Sequence, residues 1–319
     1  MQDNFTCLKW ICNRDCKLNI FLQDTIPKEL NINVSNSKIR RLIISGNIKV
    51  NGVQCRLPAF IVKKGSHIEA FIDKDKLFYE KKPNDIDFVL KKDDVLFEDE
   101  YLIIVNKPAF IPTEKTIVAD RLNMHQCVVD YLYKSSPIPL RNPPYAGIMH
   151  RLDRETSGTL LFTKKRAINP AIHNMFEQHT IQKSYRAVCA CIKDFNANRF
   201  NKDFIIENYI DRISASSAPC KMGIVKQGGL YACTKFHITK IKDKLFYVDC
   251  TLLTGRTHQI RVHLSSIGLP LVGDSLYGGA KGFEQLNNRI MLHAHSLEFM
   301  HPVTNECIKV IAPLPALFE

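Results

Sequence analysis

Residues 150–158 read His-Arg-Leu-Asp-Arg-Glu-Thr-Ser-Gly and lead directly into Thr159-Leu160-Leu161-Phe162-Thr163. The second stretch has the short, continuous apolar character of a buried strand. The first sets Asp153 between Arg151 and Arg154 and ends on the turn-forming Thr156, Ser157 and Gly158. Whatever fold forms must therefore hang a charged loop on the end of a core strand. Neighbouring positive charge favours an ionised carboxylate, so Asp153 is suited to act as a nucleophile or base beside a polyanion. Taken in isolation, an Arg-x-Asp-Arg loop is more simply read as an ordinary surface aspartate paired with arginine.

Further blocks argue against isolation. Phe97 to Pro108 forms an apolar strand ending in Asn106-Lys107-Pro108, and Lys183-Ser184-Tyr185-Arg186-Ala187 follows later. Leu253 to His263 contains Thr254-Gly255-Arg256-Thr257-His258-Gln259. Gly273-Asp274 with Tyr277-Gly278, then Leu292-His293-Ala294 and His301-Pro302, complete the series. In this order the blocks resemble the RluA-type pseudouridine synthases, whose first signature is His-Arg-Leu-Asp-x-x-Thr-Ser-Gly. The resemblance spans roughly residues 93–319. Small departures occur at Thr159, Thr163 and Pro112-Thr113-Glu114, where the family more often has apolar or small residues and a valine-histidine pair.

Composition sets limits. The 319-residue chain is long enough for two or three domains, and 45% hydrophobic with 24% charged residues is ordinary for a globular protein. No apolar run approaches the roughly 20 residues needed to span a bilayer, and Met1 to Phe5 does not open a targeting segment. A cytoplasmic protein with no membrane partner is expected. The 11 cysteines are odd in number and scattered without a Cys-x-x-Cys pair, so neither a disulfide framework nor a metal site is expected. Cys7, Cys12 and Cys16 match no standard zinc spacing.

The net charge is +12, which points to an anionic partner, most often nucleic acid. Residues 1–74 hold 12 Lys/Arg against 6 Asp/Glu and so carry half of that surplus. There, Ser35 or Ser37 can cap a helix burying Ile39, Leu42 and Ile43 and ending at Gly46. Lys38, Arg40 and Arg41 project from its exposed side. Asn51-Gly52 is a strong hairpin signal between Ile48-Lys49-Val50 and Val53-Gln54-Cys55. Leu18 to Leu22 has the spacing of an earlier helix, Thr25 to Ser35 is irregular, and Val62 to Ala70 reads as a turn and a last strand. The arrangement resembles the S-four-type RNA-binding domain, which implies phosphate contacts through Lys38, Arg40, Arg41 and Lys49. A small basic dimerisation module is the competing reading. The expected organisation is an RNA-binding domain over 1–74, a linker over 75–92 and a catalytic domain over 93–319.

Strands are expected near 102–106, 159–164, 183–192 and 245–253, and helices near 123–134, 168–180 and 256–267. Without regular βαβ alternation, this favours an α+β fold. The resemblance implies a mixed, mainly antiparallel central sheet. It also implies that Asp153 is the essential carboxylate, acting either by adding to ribose or through a glycal. Arg256 is expected to pair with it, Tyr185 to stack on uracil, and Arg151 to fill the space of a flipped base or grip the adjacent phosphate. For Arg151 the alternative is a structural ion pair, and Lys183 is open between a phosphate contact and a strand end. His150 and His258 are read as scaffolding, and His263 as a packing residue. No cofactor and no metal are required.

Two rivals differ in class. A glycosidase normally uses two carboxylates across the bond, whereas Glu155 stands at a variable position beside Asp153. A non-catalytic RNA-binding assembly factor is disfavoured by the presence of Asp153, Tyr185 and Arg256. The appended domain tilts the target towards large-subunit ribosomal RNA, with transfer RNA as the alternative, and a monomer is expected.

Overall fold

The computed structural model describes residues 5–32, 34–73, 86–115, 121–191, 202–214, 220–279 and 289–318. These fall into two compact units, one within residues 1–82 and a larger one within 83–214 and 220–319.

The smaller unit places β1 (Phe5–Ile11), β2 (Cys16–Lys17), α1 (Leu18–Leu30), α2 (Asn36–Ile44), β3 (Ile48–Val50), β4 (Val53–Cys55), β5 (Ile61–Val62) and β6 (His67–Asp73) in sequence. Four strands form a sheet in the order β1-β6-β3-β4, and β2 pairs with β5. Both helices bury apolar faces against it: Leu18, Phe21, Leu22 and Ile26 from α1, and Ile39, Leu42 and Ile43 from α2. Full burial of such side chains stabilises by about 1.5–3 kcal/mol each. Asn51 and Gly52 both adopt positive φ, +51° and +79°, as a two-residue hairpin turn of matching twist requires. The irregular stretch after Thr25 continues as helix, with Pro27 inside α1 and Asn31 closing it in a left-handed conformation. Ser35 begins α2 through its backbone, while its hydroxyl meets Ser37 instead of capping the helix.

The larger unit contains β7 (Val95–Glu98), β8 (Leu102–Lys107), α3 (Met124–Lys134), β9 (Gly147–Ile148), β10 (Ser157–Thr163), α4 (Asn169–Glu177), β11 (Gln182–Ala190) and β12 (Asp203–Arg212). It continues with β13 (Met222–Ile224), β14 (Leu230–Lys242), β15 (Leu245–Leu252), α5 (Gln259–Ser266), β16 (Leu292–Met300) and β17 (Cys307–Ile311). Among the described residues, eleven strands form one sheet in the order β13-β12-β14-β15-β11-β16-β10-β8-β7, with β17 beside β16 and β9 beside β10. Among the described strands only β10 and β16 run parallel; the other pairs are antiparallel. The fold is thus α+β with a mixed, mainly antiparallel sheet. Helices α3 and α5 cover one part of the core through Met124, Val128, Ile260 and Leu264, and α4 seals another through Ile172.

Helix α5 starts three residues later than its spacing suggests. His258 turns to φ +57°, a left-handed conformation that breaks the helical run and leaves Arg256 outside it. Of the segment expected to be a linker, residues 75–85 lie outside the described residues, and Leu90 is buried in the larger unit's core.

Candidate active site

Asp153 sits on the loop that enters β10, and that loop is tied down from several directions. His150 Nε2 accepts the Leu161 amide at 3.0 Å. Burial, reinforced by the nearby Lys183 charge, pushes its imidazole down to about 3, which keeps it a neutral acceptor. Leu152 N donates to Thr113 Oγ1 at 3.1 Å while that hydroxyl donates to Leu152 O at 2.9 Å. Thr156 N closes a turn on Asp153 O at 3.0 Å. Lys107, fully buried, donates to the carbonyls of Pro108, Ile111 and Arg154. The loop ends at Gly158, where φ is +112° and a side chain would collide with the Ala294 carbonyl of the parallel strand β16. Gly158 is therefore what lets β10 approach β16 so closely.

The partner of Asp153 is Arg261, not Arg256. Arg261 Nη1 donates to Asp153 Oδ2 at 2.8 Å, and its Nε and Nη2 form a fork on the buried Asp274 at 2.7 and 2.9 Å. Burial alone would pull this guanidinium down, but hydrogen bonds and charge from Asp274 and Asp153 outweigh it and hold Arg261 above its ordinary value. A planar fork suits this bridging of two carboxylates. Arg256 lies before the left-handed turn at His258, so its Nε reaches the Tyr231 carbonyl at 2.9 Å instead. It still lines the same cleft.

His258 sits beside Asp153. Its Nε2 is 3.7 Å from Asp153 Oδ2 and its Nδ1 meets Tyr277 Oη at 2.8 Å. Burial lowers its pKa, with Asp153 pulling the other way. Tyr277 accepts the Met222 amide and sits under the Arg261 guanidinium. Gln259 braces the turn: its amide nitrogen donates to Cys233 O and Thr234 Oγ1, and its oxygen accepts from Arg256 N and Thr254 Oγ1. His263 packs as its spacing suggests, bonded to Thr234 and Asn208 and pushed down to about 4 by burial.

Asp153, Tyr185, Arg256, Arg151 and Lys183 all line one cleft of about 1260 Å³. Tyr185 lies on β11 with its ring in the main core. Burial, together with the Asp153 charge, pushes its hydroxyl up and keeps it protonated at neutral pH. Lys183 is buried with its ammonium 5.7 Å over the Phe176 ring, and burial followed by the Arg256 charge lowers its pKa. Arg151 reaches the rim and pairs with Glu114 at 2.6 Å. In the smaller unit Arg40 and Arg41 are exposed on α2, Lys38 is half-buried at its start, and Lys49 lies 5.1 Å over the Phe71 ring.

Spacing and signatures do not single out Arg261, Asp274 or Tyr277 as site residues, although each falls inside one of the blocks. The available signal is the aspartate of Gly273-Asp274: a buried carboxylate demands a cation, and Arg261 on the neighbouring helix supplies it.

Known proteins share this arrangement of elements. Residues 101–266 match the RNA pseudouridylate synthase family and residues 22–68 the S4 domain. The uncharacterized RNA pseudouridine synthase YhcT of Bacillus subtilis is 35% identical over 272 residues, covering 84% of this chain and 82% of that protein. The ribosomal large subunit pseudouridine synthase C of Buchnera aphidicola is 30% identical over 331 residues, covering 100% of this chain and 98% of its own. Among solved structures, the human RNA pseudouridylate synthase domain containing 1 superposes with a TM-score of 0.54 at 26% identity, over 70% of this chain and 85% of that one. A cleft built around a carboxylate, an arginine fork and a buried tyrosine, carried on this sheet and matched along the chain's full length, places the protein: it belongs to the RNA pseudouridine synthase family.

Proposed function

We propose that this pseudouridine synthase acts on uridine in large-subunit ribosomal RNA, with Asp153 as its essential carboxylate. The reaction breaks the bond between the ribose anomeric carbon and the ring nitrogen of uracil. It then joins that ribose carbon to carbon 5 of the base and expels the hydrogen there. The single observation that carries the assignment is the Arg261 fork, which fixes Asp153 at 2.8 Å inside the cleft while anchoring itself on buried Asp274. A stacked uridine cannot offer its ribose carbon to a carboxylate there, so the nucleotide must be flipped out. Tyr185 then supplies a stacking surface for the detached uracil, and Arg151 enters the vacated stack or grips the adjacent phosphate. Arg256 contributes positive charge to the RNA backbone.

The basic face of α2, with Lys38, Arg40 and Arg41, and Lys49 on β3, holds flanking RNA through its phosphates. This RNA-binding domain ends near residue 74, and the catalytic domain begins before residue 93, since Leu90 is buried in its core. The ribosomal target is supported by the relatives named for the large subunit, including the synthase C of Buchnera aphidicola and the synthase D of Neisseria meningitidis. A cytoplasmic location fits eleven free cysteines, and among the described residues no helix is long and apolar enough to cross a membrane. The test is tritium release from unmodified RNA labelled at uridine carbon 5, with ribosomal and transfer RNA supplied separately. Release from large-subunit RNA alone supports the proposal; release from transfer RNA alone overturns the target.

A further inference from the structure

The rim of the cleft carries an acidic residue where a polyanion must enter. Glu114 Oε1 meets Arg151 Nη1 at 2.6 Å, with side chains 44% and 65% exposed. The pair is set by backbone, not by chance meeting of two long side chains. Thr113 is buried and exchanges two hydrogen bonds with Leu152, so the next residue along on one segment faces the preceding residue on the other. The Thr113 and Pro112 carbonyls in turn accept the His125 and Met124 amides at the start of α3. Glu114 is thus delivered to Arg151 by a fixed staple, and both line the cleft that holds Asp153.

We propose that Glu114 holds Arg151 at the cleft rim and is displaced by an RNA phosphate, so that the pair sets how tightly RNA engages the cleft. The inference rests on the synthase reading for the identity of the ligand, but its binding readout does not depend on turnover. An exposed ion pair contributes little net stability, which lets a phosphodiester replace the carboxylate at small cost. The carboxylate, once released, stays beside the RNA and repels it. Both effects weaken the resting affinity through one residue, and both fade with salt because the pair is exposed.

The experiment uses the full chain and a fluorescently labelled, unmodified in vitro transcript of large-subunit ribosomal RNA. Binding is followed by anisotropy across a salt series for wild type, Glu114→Gln, Arg151→Gln and the double variant, with thermal melts confirming that each folds. Glu114→Gln is expected to bind about two- to fivefold more tightly at low salt, with the gain shrinking as salt rises. In the Arg151→Gln background the same change is expected to give a smaller gain, because only the repulsion is left to relieve. In tritium release, Glu114→Gln is expected to lower KM with kcat held. Unchanged or weaker binding by Glu114→Gln overturns the inference, as does an equal gain in the Arg151→Gln background, which would reveal general repulsion. Absence of tritium release from wild type on every RNA would instead contradict the synthase reading while leaving the binding comparison intact.

Discussion

Replacing Arg261 with lysine keeps one positive charge and removes the fork, and the structure sets the size of the result. Arg261 makes one bond to Asp153 and two to Asp274, all between 2.7 and 2.9 Å. A lysine ammonium cannot span both carboxylates in that planar geometry. Asp274 is 1% exposed at its side chain, so the ammonium settles there, because an uncompensated buried charge costs about 3–5 kcal/mol. Asp153 then loses its strongest hydrogen bond, a charge-assisted one contributing roughly 1.5–3 kcal/mol. If that bond orients the carboxylate in the transition state, kcat falls roughly ten- to hundredfold. The incomplete pairing of Asp274 destabilises the larger unit by about 1–3 kcal/mol. Tritium release gives the rate, and urea unfolding followed by circular dichroism gives the stability. The single tryptophan, Trp10, lies in the smaller unit, so its fluorescence midpoint should not move. Arg256→Lys is the control, expected to change KM more than kcat and to leave stability unaltered. Wild-type rate and stability in Arg261→Lys, or equal losses in Arg256→Lys, would refute the reasoning.

Gly158→Ala should lower the melting temperature of the larger unit, since φ +112° and the Ala294 carbonyl both reject a side chain; backbone strain alone costs about 1–3 kcal/mol. His150, His263 and His293 are held neutral by burial, at about 3, 4 and 4. Between those values and the unfolded value of about 6.5 the unfolded chain binds more protons, so stability should fall as pH drops through that window. His263→Gln should reduce proton uptake on unfolding at pH 5 by about one, and an unchanged uptake would contradict its neutral burial. Arg40→Gln with Arg41→Gln should weaken RNA binding and flatten its salt dependence by about 0.7 for each phosphate no longer neutralised on single-stranded RNA; an unaltered slope would remove α2 from the interface.

The elements legible in the sequence are those with one clear period. Helix α2 shows three apolar residues at helical spacing, and they are the three it buries. Strand β10 carries the unbroken apolar run Leu160-Leu161-Phe162, and every one of its residues is buried in the sheet. Strands β1 and β12 escape such a reading. In β12, Ile205 and Tyr209 face outward while Phe204, Ile206 and Ile210 face inward, so apolar residues on both faces blur the alternation. Strands β16 and β17 escape it as well, although β16 carries the Leu292-His293-Ala294 block. Asp153, Tyr185, Arg256 and Arg151 follow from the signatures, and all four line one cleft. The partner of Asp153 is not legible. The choice between Arg256 and Arg261 turns on the left-handed conformation at His258, and φ at a single histidine leaves no mark on residue spacing.

If the carboxylate of Asp153 performs the isomerisation, removing its charge must abolish the reaction without abolishing RNA binding. The most direct test is tritium release from uridine-labelled large-subunit ribosomal RNA with Asp153→Asn, which keeps the side chain's shape and a hydrogen-bond acceptor for Arg261. Loss of release to background is predicted, while RNA binding by anisotropy is kept. Release by Asp153→Asn at a rate near wild type would contradict that role.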